Sequence, residues 1–224
     1  FKKLPWKDSR FLLPFIGMVA FIPGGAGGIV NASYQMNELI HNTIWVTGHF
    51  HLAIATTVVL TYFGAAYWLI PHLTGRVLTK KMNDFAVTSG IMWTIGMFIM
   101  SGAMHIAGLF GAPRRSEYST YGGSEQAAEW ISYQIAQAVG GTVLFIAIIL
   151  IIGIVINLLW FAPKGEEEFP VAELSHSAEK TPAILENFKL WGVILVALIL
   201  IAYTFPIFDI INNSPLGSTG FKFW

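Results

Sequence analysis

The chain has 224 residues, no formal net charge, 54% hydrophobic side chains and only 12% charged ones, a balance that excludes a water-soluble globular domain and places the protein in a membrane. Neutrality leaves no basic surface for nucleic acid, and the lack of cysteine excludes disulfides, thiolate zinc sites and iron–sulfur centres. Ligand chemistry falls to histidine, carboxylate and hydroxyl groups.

The sequence begins at Phe1 rather than Met, and Lys2, Lys3, Lys7 and Arg10 lead into an apolar run without a small-residue cleavage site. This start reads as an interior loop of a longer polypeptide rather than a signal peptide. Crossing hydrocarbon takes about 20 mostly apolar residues, and the first uncharged run of that length is 11–30. Inside it, Gly24-Gly25-Ala26-Gly27-Gly28 follows Pro23. Such small residues permit a close helix approach or a kink, and without a preceding strand or a Lys-Ser/Thr partner they form no phosphate loop.

The second run, 43–71, lies in a stretch from 39 to 75 that has no Lys, Arg, Asp or Glu, and it contains His49 and His51. A helix turns about 100° per residue, so positions i and i+2 point roughly 200° apart. Two imidazoles so placed cannot grip one metal ion. They suit two separate centres, one on each flank of the helix. Pro71 and the Leu73-Thr74-Gly75 stretch close this span.

The third run, 85–112, has Asn83 or Asp84 as its expected cap. It contains His105, read either as a hydrogen-bonding residue of a cofactor pocket or, preferred here, as satisfying a neighbouring backbone carbonyl, and leads into Pro113-Arg114-Arg115. The polar, acidic segment from Ser124 to Glu129 starts the fourth run, 130–162. Residues 163–186, with Glu166-Glu167-Glu168 and His176, read as a solvated connector, and 190–208 forms the fifth run. No alternating strand pattern is present, and backbone groups in lipid must bond internally. The expected fold is all-α and integral to the membrane: five transmembrane helices in one domain over 1–224, part of a larger helix bundle.

Ten Lys and Arg residues fall on the side of the N-terminus and three, Arg114, Arg115 and Lys222, on the other. The positive-inside rule then puts the N-terminus in the cytoplasm and the C-terminus outside. His41, Asn42 and the arginine pair share the outer face, with His49 and His51 roughly two to three turns below it. Neutral imidazole is a good axial ligand for haem iron, so a helix with ligands at i and i+2 would sit between two macrocycles. Haem propionates need cations at the membrane edge, and guanidinium binds carboxylate in a bidentate fork.

Three stretches carry a family resemblance: His41-Asn42-Thr43 with Trp45 and Gly48-His49-Phe50-His51; Tyr67-Trp68-Leu69-Ile70-Pro71-His72-Leu73-Thr74-Gly75; and His105 with Ala107-Gly108-Leu109 and Pro113-Arg114-Arg115. They resemble the catalytic subunit of the haem–copper oxidases, over nearly the whole chain, and the chain is similar in overall pattern to the B-type cytochrome c oxidases of bacteria and archaea. The resemblance implies His49 as proximal ligand of the high-spin haem where dioxygen binds and His51 as one ligand of the low-spin haem. It implies Arg114 and Arg115 as propionate partners and His41 as a residue of the wet outer region. It further implies copper held by ligands outside this chain, a copper-bearing subunit II, cytochrome c or a similar electron donor, reduction of O2 to water coupled to proton translocation, and the plasma membrane of a bacterium or archaeon. Asn42 stands where many members carry Asp beside magnesium, so no magnesium site is expected here. The alternatives are a nitric oxide reductase catalytic subunit of the same superfamily and a cofactor-free transporter or structural subunit.

Overall fold

The computed structural model describes residues 3–116, 121–166 and 182–212. Helix α1, Ser9–Ala32, starts where the Asp8 carboxylate accepts the Arg10 amide at 2.9 Å. Burial works to raise the Asp8 carboxyl, but the hydrogen bonds and charge of Arg10 outweigh it and hold the group below the usual carboxylate range. Its contribution to stability is therefore present at neutral pH and lost as the pH falls through the lowered value. Short helix α2, Tyr34–Ile40, follows. The long second span then runs as α3, Ile44–Phe50, a π-helical segment, His51–Thr56, and α4, Thr57–Thr74. Helix α5 covers Lys80–Leu109, and α6, Ala127–Ile156, ends in a second π-helical segment, Asn157–Phe161. Helix α7 is Phe188–Asn212.

Among the described residues, five helices are long and apolar enough to cross a membrane, at Ser9–Ala32, Ile44–Thr74, Lys80–Leu109, Ala127–Phe161 and Phe188–Phe208. These are the five expected spans, with shifted ends. The cap of α5 is Thr79, whose hydroxyl accepts the Met82 amide at 3.4 Å, rather than Asn83 or Asp84. Asn83 serves another helix: its carbonyl takes the amide and the hydroxyl of buried Ser9, both at 2.9 Å, and its amide reaches Lys7 O at 2.7 Å. Asp84 pairs with Lys80 at 2.8 Å. Helix α4 continues three residues past Pro71 and stops at Gly75, whose φ of 62° glycine adopts without steric cost.

The chain divides into two compact units, Phe1–Pro170 and Val171–Trp224. In the first, α1 lies along the second span and α5 packs between α3 and α6. Close approach depends on glycine. A Cβ at Gly64 would sit 2.5 Å from the Pro14 ring of α1, and one at Gly140 would lie 2.7 Å from the Gly96 carbonyl. We therefore expect Gly140→Ala to destabilise the α5–α6 pair by about 1–3 kcal/mol. Gly141→Ala, which meets nothing within 4 Å, should hold or raise stability. Thermal melts of the full-length protein in detergent separate the two, and equal melting points would refute this account of the crossing.

Leu13, Leu60, Tyr67, Ala86, Ile154 and Leu158 form one buried cluster toward the Gly75 end, while Ala107, Ala112 and Trp130 form another toward Arg114. The outer faces remain apolar, with Phe50, Tyr62, Ile91 and Phe145 exposed. Such faces suit hydrocarbon or further helices. In the second unit α7 begins at the Asn187 carboxamide, which accepts the Leu190 amide at 3.1 Å, and Trp191 Nε1 donates to Ile184 O at 2.9 Å. Most of the connector, including His176, and Lys222 lie outside the described residues.

Candidate functional site

The start of α3 is fixed by backbone bonds to the turn after α5. Ile44 N–H donates to Ala112 O at 2.8 Å and Arg114 N–H to Asn42 O at 3.0 Å. Thr43, buried, caps the helix by accepting the Trp45 amide at 3.3 Å. Asn42 and Arg115 take positive φ, 63° and 61°, to make this exchange. Asn is among the residues that tolerate that region. The result carries Arg114 over the first turns of α3.

Glycines then press α5 onto α3. A Cβ at Gly48 would lie 2.9 Å from Met104 Cβ and 3.0 Å from Ser101 O, and one at Gly108 would lie 2.6 Å from Trp45 Cβ. On the opposite side α1 contributes its glycine run. A Cβ at Gly24 would meet the Ala53 backbone at 2.9 Å, while those at Gly27 and Gly28 would meet the His49 ring at 3.1 and 3.3 Å. The run that composition reads as permitting close approach thus does two things: it lets α1 touch the π-helical segment, and it makes the cradle for His49.

Both dyad imidazoles are oriented by backbone carbonyls. His49 Nδ1 lies 2.9 Å from Gly24 O, and His51 Nδ1 lies 2.8 Å from Thr47 O. A carbonyl only accepts, so each Nδ1 carries the proton and a neutral ring keeps its lone pair on Nε2. Neither Nε2 has a hydrogen bond among the described residues. This is the arrangement expected of metal-binding histidines, whose second nitrogen is held by an outer partner that fixes the tautomer and raises basicity. The partners differ in origin, since Gly24 belongs to α1 whereas Thr47 belongs to the dyad helix itself.

His49 opens on a cavity of about 300 Å³ that also meets Gly28, Asn31, Asn37, His41 and Arg114. Arg114 Nη2 donates to Asn42 Oδ1 at 3.2 Å, yet its Nε is buried without a partner among the described residues. A buried guanidinium N–H left open in this way suits a carboxylate. The structure therefore brings together His41, His49 and Arg114 of the expected residues. It does not bring Arg115, which is exposed, or His51 to the same cavity.

His105 has the backbone partner expected of it, Ser101 O at 2.7 Å from Nδ1. Its Nε2 nevertheless faces Gly27, within 3.4 Å of where a Cβ would be, so it shares that notch with His49. Trp45 meets its ring edge-on at a centroid distance of 4.5 Å. The sequence alone gives no role to Ser101 or the Gly24 carbonyl, and none to Trp45 beyond its place in the motif. The i,i+4 spacing of Ser101 and His105 on one face of α5 was the available signal. Among the described residues no three His, Asp or Glu side chains converge.

Comparison with known proteins gives concordant matches. A family model described as Cytochrome C and Quinol oxidase polypeptide I matches residues 3–143. A cytochrome c oxidase subunit 1 of Thermus thermophilus is 33% identical over 232 aligned positions, covering 100% of this chain and 40% of that protein. A second Thermus thermophilus protein of the same name is 46% identical over 107 positions, 48% of this chain and 99% of its own length. A solved structure, titled as a heme-copper terminal oxidase dimer, superposes with a TM-score of 0.67 at 32% identity, covering 99% of this chain and 40% of the other. The chain thus spans 40% of the length of the first of these relatives.

Proposed function

The chain belongs to the cytochrome c and quinol oxidase polypeptide I family, and we propose that it supplies the haem-ligand helix of an oxygen-reducing terminal oxidase. In this reading His49 binds the iron of the high-spin haem, His51 binds that of the low-spin haem, and Arg114 neutralises a propionate. The observation that carries it is the pair of pinned imidazoles, each with Nδ1–H committed to a carbonyl and Nε2 without a hydrogen bond among the described residues.

The residues fit such a group. The donor set is neutral imidazole, a cradle of Gly27 and Gly28 leaves room beside His49, and the unpartnered Arg114 Nε awaits an acid. Bound haem supplies the one-electron and dioxygen chemistry that no side chain here provides. The chain's part is to orient and tune. Gly24 O holds the His49 ring and strengthens Nε2 as a donor, Thr47 O does the same for His51, and the Arg114 charge stabilises the reduced, less positive state of a nearby iron. His41 and Asn37 give the outer cavity a polar lining, and Arg115, exposed beside it, would meet a second carboxylate. Copper ligands, a copper-bearing subunit II, cytochrome c as donor and proton translocation belong to the whole enzyme. The N-terminal side faces the cytoplasm and the Arg114 end faces outward, following the ten-to-three division of Lys and Arg.

The full-length subunit, purified in detergent, should show two haem populations in reduced-minus-oxidised spectra, and an absence of haem bands would end this reading. Arg114→Leu removes the charge that offsets a propionate, so the midpoint potential should fall, on the order of 60 mV for a tenfold effect. An unchanged potential in a redox titration would show that Arg114 offsets no propionate charge.

A further inference from the structure

Ser101 is fully buried in α5, and its hydroxyl does not turn back onto a carbonyl of its own helix as a mid-helix serine usually does, although it lies 3.3 Å from His105 Nδ1 on that helix. It donates across to Gly48 O at 2.7 Å, while the Ser101 carbonyl receives His105 Nδ1–H at 2.7 Å. Gly48 directly precedes His49, and three residues later the helix changes to π-type bonding at His51. A π-bulge shifts the i→i−4 ladder by one residue and disturbs carbonyls at the junction. The His51 amide reaches back to both Thr47 O and Gly48 O. The Ser101 hydroxyl therefore adds a donor from another helix at the carbonyl where the ladder changes. His105, braced by Trp45, projects its Nε2 to the Gly27 notch on which the His49 ring also rests. His51 is held otherwise, by Thr47 of its own helix.

We infer that Ser101 and His105 are positioning residues for His49: they fix the backbone at Gly48 and back the imidazole across Gly27, and so set the bond between His49 and its iron without ligating the metal. The inference rests on His49 being an iron ligand. Outer partners of metal-bound histidines tune affinity and potential through just such ring and backbone control.

The experiment uses the full-length oxidase with Ser101→Ala, His105→Leu and, as a control that keeps the hydroxyl, Ser101→Thr. Resonance Raman spectroscopy reads the iron–imidazole stretch of the reduced high-spin haem, and redox titration reads both haems. Ser101→Ala and His105→Leu should displace the stretch and the high-spin midpoint potential, leave the low-spin band and potential in place, and find no counterpart in Ser101→Thr. An unmoved stretch in both variants, an equal displacement of the low-spin haem, or loss of both haems together overturns the inference. His49→Ala separates the two failures. If it leaves the high-spin haem bound, the ligand assignment falls; if it removes that haem while the Ser101 and His105 variants stay spectrally wild type, only the positioning role falls.

Discussion

His49→Ala in the full-length subunit should abolish the carbon-monoxide-reactive haem signal while leaving the low-spin band, and His51→Ala should do the reverse. The expectation comes from how separately the two rings are held. His49 reaches out of its helix to Gly24 O on α1 and borders the cavity beneath Arg114, whereas His51 is tied to Thr47 O on its own helix and does not line that cavity. Each Nε2 can donate to one iron, and a truncated methyl group cannot replace it. Optical spectra with and without carbon monoxide distinguish the outcomes. Identical spectra in the two variants would mean that the histidines do not serve separate centres.

Gly24→Val should be nearly as damaging without touching a ligand. Its Cβ would fall 2.9 Å from Ala53 Cα and 3.0 Å from Ala53 N, backbone atoms of the π-helical segment that have no free rotamer to move away. Overpacking of this kind costs about 1–3 kcal/mol. The displaced carbonyl would also release His49 Nδ1, and loss of an outer-shell partner typically weakens a metal site by roughly 10- to 100-fold. Gly25→Ala provides the contrast inside the same run. Its Cβ meets only Phe21 Cε1 at 3.9 Å, and alanine is the better helix former by about 1 kcal/mol. Haem content per subunit and thermal melting in detergent should fall for Gly24→Val and hold or rise for Gly25→Ala. A pair of variants that behave alike would show that the run acts only through its composition.

Much of the fold was legible because it depends on local quantities. Uncharged runs long enough to cross hydrocarbon marked the five spans, and the αL glycine at Gly75 marked a helix end. Where local signals competed, the reading slipped. Asn83 is a good cap by type, but the amide and hydroxyl of buried Ser9 on another helix lacked an acceptor and claimed its carbonyl, leaving Thr79 to start α5. Pro71 bounds the expected membrane run 43–71, whereas the helix continues to Thr74 and ends at Gly75, as the Leu73-Thr74-Gly75 stretch indicates. The π-helical segment at His51–Thr56 has no cue in the composition of its residues.

By itself the sequence determined a helical membrane chain, the dyad at His49 and His51, and an arginine pair on the same side, because charge, apolar length and helical periodicity act over neighbouring positions. Only the tertiary structure decided which carbonyl orients each imidazole, that Arg114 and not Arg115 borders the His49 cavity, and that Ser101 and His105 stand behind it. Those choices follow from buried polar groups seeking partners on other helices, and which helix offers one is settled by glycine contacts between segments far apart in the chain.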